Sequence, residues 1–219
     1  MRAIVAVNAA LDADLKVGAL FNAATIAALA SRIGGNRSGP RPLVAVERPA
    51  VIPLSFAQRR LWFIDQLQGS LPVYNRAVAL RLTGHLDVTA LNAAVADVVG
   101  RHESLRTVFS TIDGIPRQLV LPAEQADFGW EVIDAAGWPP ARLTGAMVDA
   151  THYPFDLGTE IPSRAKLFRV AQQEHALVIV VHHIAGDGWS IGVLAADVGV
   201  AYMSRCVGRA PGCAELPVQ

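Results

Sequence analysis

The feature that most constrains how this 219-residue chain folds is a short apolar segment that runs into two histidines. Residues 177–181 are all aliphatic, and His182-His183-Ile184-Ala185-Gly186-Asp187-Gly188 follows directly. The apolar run predicts a buried strand, the Gly-Asp-Gly segment a tight loop, and the apolar repeat over residues 191–202 a long helix. Two histidines therefore stand where a strand ends and a loop begins, a common position for ligand sites in α/β sheets.

The rest of residues 51–219 alternates helical and strand patterns, which predicts an α/β domain. Ser55 and Gln58 form a capping box that begins a helix, and Gly69 ends that helix. Its expected buried stripe is Ala57, Leu61, Ile64 and Leu67, with Trp62 and Phe63 also expected in the core. Asp87 is the expected cap of a second helix, with inward-facing Leu91, Val95, Val98 and Val99.

Further elements follow along the chain. Asp113-Gly114 predicts a β-hairpin, and Pro116 shifts the returning strand toward a sheet edge. A helix is predicted over residues 142–150, and strands over residues 106–110, 164–170 and 177–182.

The amino-terminal part reads as a separate, short helical appendage over residues 1–33. Its expected apolar face is Ile26, Leu29, Ala30 and Ile33, with Gly34-Gly35 ending the helix. Residues 34–50 form a linker rich in proline and glycine. The apolar stretch within the first eight residues is short and is interrupted by a polar residue, so a secretory signal peptide is not expected.

Charge and cysteine content exclude several classes of protein. Lys and Arg number 19, as do Asp and Glu, so there is no basic excess to predict a nucleic-acid partner. No apolar run is long enough to predict a membrane span. Cys206 and Cys213 do not make a disulfide framework or a metal motif, and they are expected to be free thiols in a cytoplasmic protein.

The histidine pair suggests acyl-transfer chemistry. Neighbouring strand residues face opposite ways, so one of His182 and His183 can face a cavity while the other packs inside. A neutral histidine suits a general base, and no Gly-x-Ser-x-Gly nucleophile is present, so a substrate would supply the nucleophile. Gly186 and Gly188 are expected to adopt backbone conformations that other residues resist, letting Asp187 turn back toward the strand.

Two plainer interpretations stay open from the residues alone. The histidine pair could be structural, with the Gly-Asp-Gly segment only a turn. A metal could bind through His183 and Asp187, but no third ligand is evident and no metal site is predicted.

Several ordered motifs resemble one known family. Residues 182–190 resemble the His-His-x-x-x-Asp-Gly signature of the condensation domains of non-ribosomal peptide synthetases. Residues 54–62 and 101–109 resemble the first and second motifs of that family, and Pro154-Phe155-Asp156-Leu157 falls where the family has that phrase. Residues 11–30 resemble the last helices of a peptidyl carrier protein without its Gly-Gly-x-Ser attachment site; a simple leader helix is the alternative.

The resemblance implies a chloramphenicol acetyltransferase-like fold, of which residues 51–219 would be the amino-terminal lobe, a mixed sheet flanked by helices. It implies peptide-bond formation, with His183 as the catalytic residue, acting as a base or as a positioner of the amine. It implies that His182 is packed, that Asp187 pairs with Arg101, and that Gly188 shapes the loop beside the substrate tunnel. Arg106 is the other motif arginine and supports the site.

The same resemblance implies the partners. Phosphopantetheine would arrive on donor and acceptor peptidyl carrier proteins, and no cofactor would bind the chain directly. The family continues beyond residue 219 into a second lobe, so half of the tunnel would be missing and apolar surface exposed. This predicts association with a carboxy-terminal lobe or neighbouring modules, and leaves it uncertain whether the chain alone is an enzyme.

Alternatives to a condensing lobe are a catalytically incomplete carrier-docking fragment and a CoA-dependent acyltransferase. Within the family, Trp189 favours condensation over epimerisation, and the motif phrases lean toward a donor that ends in a D-residue.

Overall fold

The structure is a computed structural model that describes residues 2–11, 13–23, 25–33 and 47–219. The chain divides into two compact units, Met1–Val46 and Glu47–Pro217, with Gln219 belonging to the second. Within the described ranges, no helix combines the length and the apolar content needed to cross a membrane.

The first unit is helical, as the sequence predicts. It contains α1 (Arg2–Leu11), α2 (Gly18–Asn22) and α3 (Ile26–Ala30) around the buried residues Ile4, Ala13 and Leu15. The predicted apolar face of the last helix is only partly right. Leu29 and Ile33 pack against this core, but Ile26 is 88% exposed because α3 is a five-residue helix and cannot present a stripe two turns long. Gly34-Gly35 and most of the predicted linker lie outside the described residues.

The second unit alternates strands and helices. Its elements are β1 (Ile52–Pro53), α4 (Phe56–Gln68), β2 (Asn75–Thr83), α5 (Val88–Arg101), β3 (Thr107–Ile112), β4 (Ile115–Val120), β5 (Glu131–Asp134), α6 (Pro140–Thr151), β6 (Ser163–Ala171), β7 (Glu174–His182) and α7 (Gly188–Cys206). Short 3-10 turns occur at Pro72–Tyr74, Glu103–Arg106 and Ala123–Gln125.

The larger sheet has the strand order β2-β7-β6-β5. β7 is antiparallel to β2 and β6, whereas β5 is parallel to β6, so the sheet is mixed. Side chains alternate along β7: Val181 packs with α5 and α7, and Val180 packs in the cluster that α6 covers. The predicted mixed sheet with helices on both faces is confirmed, and it buries β7 at its centre.

The smaller sheet has the order β1-β4-β3 and carries the predicted hairpin. Asp113 and Gly114 both have positive φ, 51° and 75°, as a two-residue hairpin turn with this sequence requires. β4 is the middle strand rather than the predicted edge. Pro116 is tolerated there because β1 pairs only with Arg117 and Gln118.

The helix caps are as predicted, but the packing of α4 is not. Ser55 and Gln58 form the capping box, Gly69 ends α4, and Asp87 caps α5. No residue of α4 is buried, and Phe63 and Leu67 are 60% and 71% exposed. The reason is that α4 contacts the core only along the narrow side that carries Leu61 and Trp62, which leaves its other side open.

Candidate active site

The two histidines are fixed at the end of the central strand by hydrogen bonds on both sides. The backbone N–H of His182 donates to the carbonyl oxygen of Pro162 at 2.9 Å, and that of His183 donates to Tyr74 at 2.8 Å. The first partner precedes β6 and the second precedes β2. Because β7 has neighbours on both edges, neither histidine backbone can shift without breaking the sheet.

His182 is a buried, uncharged side chain. It is 3% exposed, and its ring meets Phe155 edge to face with centroids 6.2 Å apart. Its Nδ1 accepts the N–H of Ile184 at 3.2 Å. Burial, and secondarily the nearby His183, lower the pKa of His182 to about 4, so the ring is neutral near pH 7.

His183 has a different environment. Its ring is half-buried, and its Nδ1 lies 2.7 Å from the carbonyl oxygen of Gly186. A carbonyl can only accept, so Nδ1 carries the proton in this hydrogen bond. In the neutral ring Nε2 then has the free lone pair. The loop thereby selects the tautomer in which Nε2 can accept a proton.

The loop that supplies this carbonyl is held by the start of α7. Asp187 caps the helix: its Oδ1 accepts from the N–H groups of Trp189 and Ser190, both at 3.0 Å, and from the Ser190 hydroxyl at 2.9 Å. The backbone N–H of Asp187 donates in return to the Ser190 hydroxyl at 3.1 Å. The hydrogen bonds from Ser190, backbone first and then hydroxyl, lower the pKa of Asp187, with a smaller contribution from Trp189.

The expected pairing of Asp187 with Arg101 is wrong for the part of the chain that the structure describes. Arg101 forms an ion pair with Asp197 instead, with Nε 3.4 Å from Oδ2, and its Nη1 donates to the carbonyl oxygen of Ala214 at 2.6 Å. The physical reason is that Asp187 satisfies the orphan N–H groups of its own helix, while Arg101 lies in the last turn of α5 and faces the middle of α7.

Arg106 holds two elements of the scaffold together. Its Nε donates to the carbonyl oxygen of Gly100 at 3.1 Å, its Nη1 donates to that of Leu121, and its Nη2 lies 3.7 Å from Glu103. These contacts join the end of α5 to the end of β4. Arg106 therefore connects these two elements.

The two loop glycines do not have the unusual backbone that the sequence suggested. The positive-φ positions of the described chain do not include Gly186 or Gly188. A methyl group on Gly186 would lie 3.3 Å from Cβ of Ser190, so this glycine avoids crowding the cap. A methyl group on Gly188 would meet nothing within 4 Å. The fold does not require a glycine at position 188.

Sequence reasoning missed two supporting residues. Ser190 completes the cap of α7, and its position three residues after Asp187 is the capping-box spacing that could have revealed it. Asn75 donates from its side chain to the carbonyl oxygens of Thr151 and Tyr153, which ties the start of β2 to the end of α6. No local sequence pattern predicts the Asn75 contacts, because they join residues that are distant in sequence.

A metal site does not form in the described part of the chain. No group of three His, Cys, Asp or Glu side chains within residues 2–11, 13–23, 25–33 and 47–219 is placed to hold an ion. The carboxylate oxygen Oδ1 of Asp187 is occupied by the cap of α7.

Comparison with known proteins gives one consistent family. The family model described as the condensation domain matches residues 49–214. An isonitrile lipopeptide synthase of Mycobacterium tuberculosis is 65% identical over 179 residues, which is 82% of this chain and 7% of that protein. A dimodular nonribosomal peptide synthase of Bacillus subtilis is 44% identical over 209 residues, which is 95% of this chain and 9% of that protein.

A solved structure agrees with the sequence comparison. The X-domain in the complex of the X-domain and OxyB from teicoplanin biosynthesis is 36% identical, with a TM-score of 0.75. The match covers 82% of this chain and 38% of that one. The chain thus spans well under half of each of these proteins.

Proposed function

The chain belongs to the condensation-domain family of nonribosomal peptide synthetases, and we propose that it contributes the histidine-bearing lobe of a domain that forms amide bonds. Residues 51–219 would be this lobe. Residues 1–33 would be the end of a preceding peptidyl carrier protein, and residues 34–50 the linker between them. The donor is an acyl or peptidyl thioester on one carrier protein, and the acceptor is an aminoacyl thioester on another.

The hydrogen bond between His183 and Gly186 carries this proposal. It leaves Nε2 of His183 with a lone pair on the half-buried ring. The acceptor amine attacks the donor thioester carbonyl, so a C–N bond forms and the C–S bond breaks. The nitrogen loses one proton and the departing sulfur gains one. Nε2 of His183 accepts this proton or holds the amine for attack.

Asp187 and Gly188 support the reaction in different ways. Asp187 caps α7 and thereby holds in place the loop that contains the Gly186 carbonyl. Gly188 leaves open space next to this loop, where a substrate arm can pass. His182 is packed against Phe155 and neutral, so its role is to seat the strand end rather than to react.

Exposed apolar side chains support a protein partner for this lobe. On α4 these are Phe56, Phe63 and Leu67, on α7 they include Met203, and Val207 follows directly after α7; each is at least 60% exposed. Surfaces of this kind commonly mark an interface. The carboxy-terminal lobe of the family, or a neighbouring synthetase module, would cover them, and phosphopantetheine would be delivered by the two carriers.

The test is a condensation assay with loaded donor and acceptor carriers, read by mass spectrometry of the carrier-bound product. It compares this chain alone, this chain with a co-expressed carboxy-terminal lobe, and His183→Ala in each. The proposal expects product only when the lobe is present, and none with His183→Ala. An absence of product with a lobe that binds, while an unrelated intact condensation domain works on the same carriers, overturns it. Turnover of small CoA thioesters by the chain alone would instead indicate a CoA-dependent acyltransferase.

One comparison supports a second candidate function, that of a docking module. The related X-domain is known in a complex with OxyB. A chain of this type could therefore recruit a partner without condensing anything. Binding of carriers or other proteins by the reconstituted domain, unchanged by His183→Ala and without product, would favour docking over catalysis.

A further inference from the structure

Asp197 lies in the middle of α7 and receives two basic side chains from the end of α5. Nε2 of His102 is 2.6 Å from its Oδ2, and Nε of Arg101 is 3.4 Å from the same oxygen. The three side chains are only 17–23% exposed. A carboxylate shared by two partners in such a shielded position holds its helix more firmly than an exposed ion pair does.

One of the two basic partners of Asp197, Arg101, is itself fixed by further hydrogen bonds. Nη1 of Arg101 donates to the carbonyl oxygen of Ala214, and the backbone carbonyl of Arg101 accepts from the side chain of Gln219 at 3.0 Å. The end of α5 is therefore held both by α7 and by the segment that follows α7. Asp197 is the residue through which α7 itself is attached to this cluster.

The other end of α7 controls the histidine loop. Asp187 caps α7 and lies ten residues before Asp197, about 15 Å along the axis at the rise of an α-helix. The residue before the cap is Gly186, whose carbonyl accepts the Nδ1 proton of His183. A rotation or slide of α7 would therefore move the acceptor that sets the ring of His183, and displacements near 1 Å matter for a reacting group.

We infer that Asp197 is a positioning residue: by binding His102 and Arg101 it sets the position of α7, and through the Asp187 cap it sets the orientation of the His183 ring. The inference rests on the proposed function for the importance of His183. Arg101, which was expected to pair with Asp187, thereby acquires a different role. It acts on α7 through its ion pair with Asp197.

The chain offers a matched control for a merely structural role. Asp97 of α5 and Arg205 of α7 form a second ion pair between the same two helices, with contacts of 2.6 and 2.7 Å. Arg205 lies in the last turn of α7, eight residues farther from the loop than Asp197. Loss of this pair loosens the helix pair without releasing the part of α7 that leads to His183.

The experiment compares Asp197→Ala and Asp97→Ala in the 219-residue chain by thermal unfolding and by nitrogen-15 NMR of the histidine rings. The His183 signals are assigned from their loss in His183→Gln. Both variants are expected to lower the melting temperature. Only Asp197→Ala is expected to shift the Nδ1 and Nε2 signals of His183, as the ring loses its single tautomer.

Unchanged His183 signals in Asp197→Ala, or equal shifts in Asp97→Ala, overturn the inference. If Asp197→Ala does not fold, Arg101→Gln is the second variant, since it removes the ion pair and leaves the bond to His102. A smaller shift in the His183 signals supports the inference, and no shift contradicts it. Because NMR needs no turnover, this outcome is separate from success or failure of the condensation assay.

Discussion

Nδ1 of His183 lies 2.7 Å from the carbonyl oxygen of Gly186, and this contact determines which ring nitrogen is free. A histidine without such a partner samples both tautomers. Here the loop that follows β7 keeps the proton on Nδ1 and the lone pair on Nε2. The predictions below follow from what holds this loop and from what surrounds it.

Replacing Gly186 by alanine is expected to disturb the cap of α7. The added methyl group would lie 3.3 Å from Cβ of Ser190, so the serine must move and the hydrogen bonds to Asp187 weaken. A melting temperature lower by about 2–6 °C is expected, as for the loss of part of a cap. Calorimetry of Gly186→Ala checks this, and an unchanged melting temperature would show that Ser190 adjusts without cost.

Gly188→Ala, in contrast to Gly186→Ala, is expected to leave stability intact and to affect activity. Its methyl group meets nothing in the chain, and alanine suits the first turn of a helix at least as well as glycine. Stability should be unchanged or slightly raised, while condensation by the reconstituted domain should slow by about tenfold or more, since the methyl group enters the space for substrate. Full activity would mean that no substrate passes position 188.

Asp187→Ala is expected to cost about 1 kcal/mol of stability, because the N–H groups of Trp189 and Ser190 lose their acceptor. The same loss should reduce condensation, since the cap holds the loop of His183. Asp87→Ala is the control, because Asp87 caps α5 through Ala90 and has no part in that loop. Equal activity losses in the two variants would contradict a specific role for Asp187.

The lowered pKa of His182 predicts a pH dependence of stability. The unfolded chain binds a proton near the ordinary pKa of 6.5, whereas the folded chain does so only near 4. The unfolded state therefore binds more protons between these values, so this stability is fully present above pH 6.5 and is lost as the pH falls toward 4. The contribution is about 3 kcal/mol.

His182→Asn tests this dependence, since the amide oxygen can still accept from Ile184 but does not titrate. Denaturant unfolding is measured at several values between pH 4 and 7.5. The free energy of unfolding should change less steeply with pH in the variant than in the original chain. Parallel pH dependences would mean that folding does not lower the pKa of His182.

Local patterns predicted the local structure well. The capping box of α4, the Asp87 cap of α5, the Asp113-Gly114 hairpin and the inward positions of α5 depend on neighbours a few residues away, and each is confirmed. The sheet around β7 was predicted only as a class. β2 and the four-residue β5 were not predicted, because strand pairing depends on partners far along the chain.

The errors at the site have a similar origin. Arg101 was assigned to Asp187 from the resemblance, but the choice between Asp187 and Asp197 depends on the angle at which α5 meets α7. Phe63 was expected in the core, but it is exposed. The sequence of a helix shows which positions are apolar, but it does not show how many of them pack against another element. Contacts between distant elements are what the sequence alone leaves undetermined.

The most direct test of the account is single-turnover condensation by the reconstituted domain with His183→Gln. The amide keeps a polar group in place but cannot accept a proton as Nε2 does. The account predicts a rate at least about 100-fold lower, with folding and carrier binding unchanged. A rate within about threefold of the original would show that His183 does not act on the reacting groups, and would contradict the central claim.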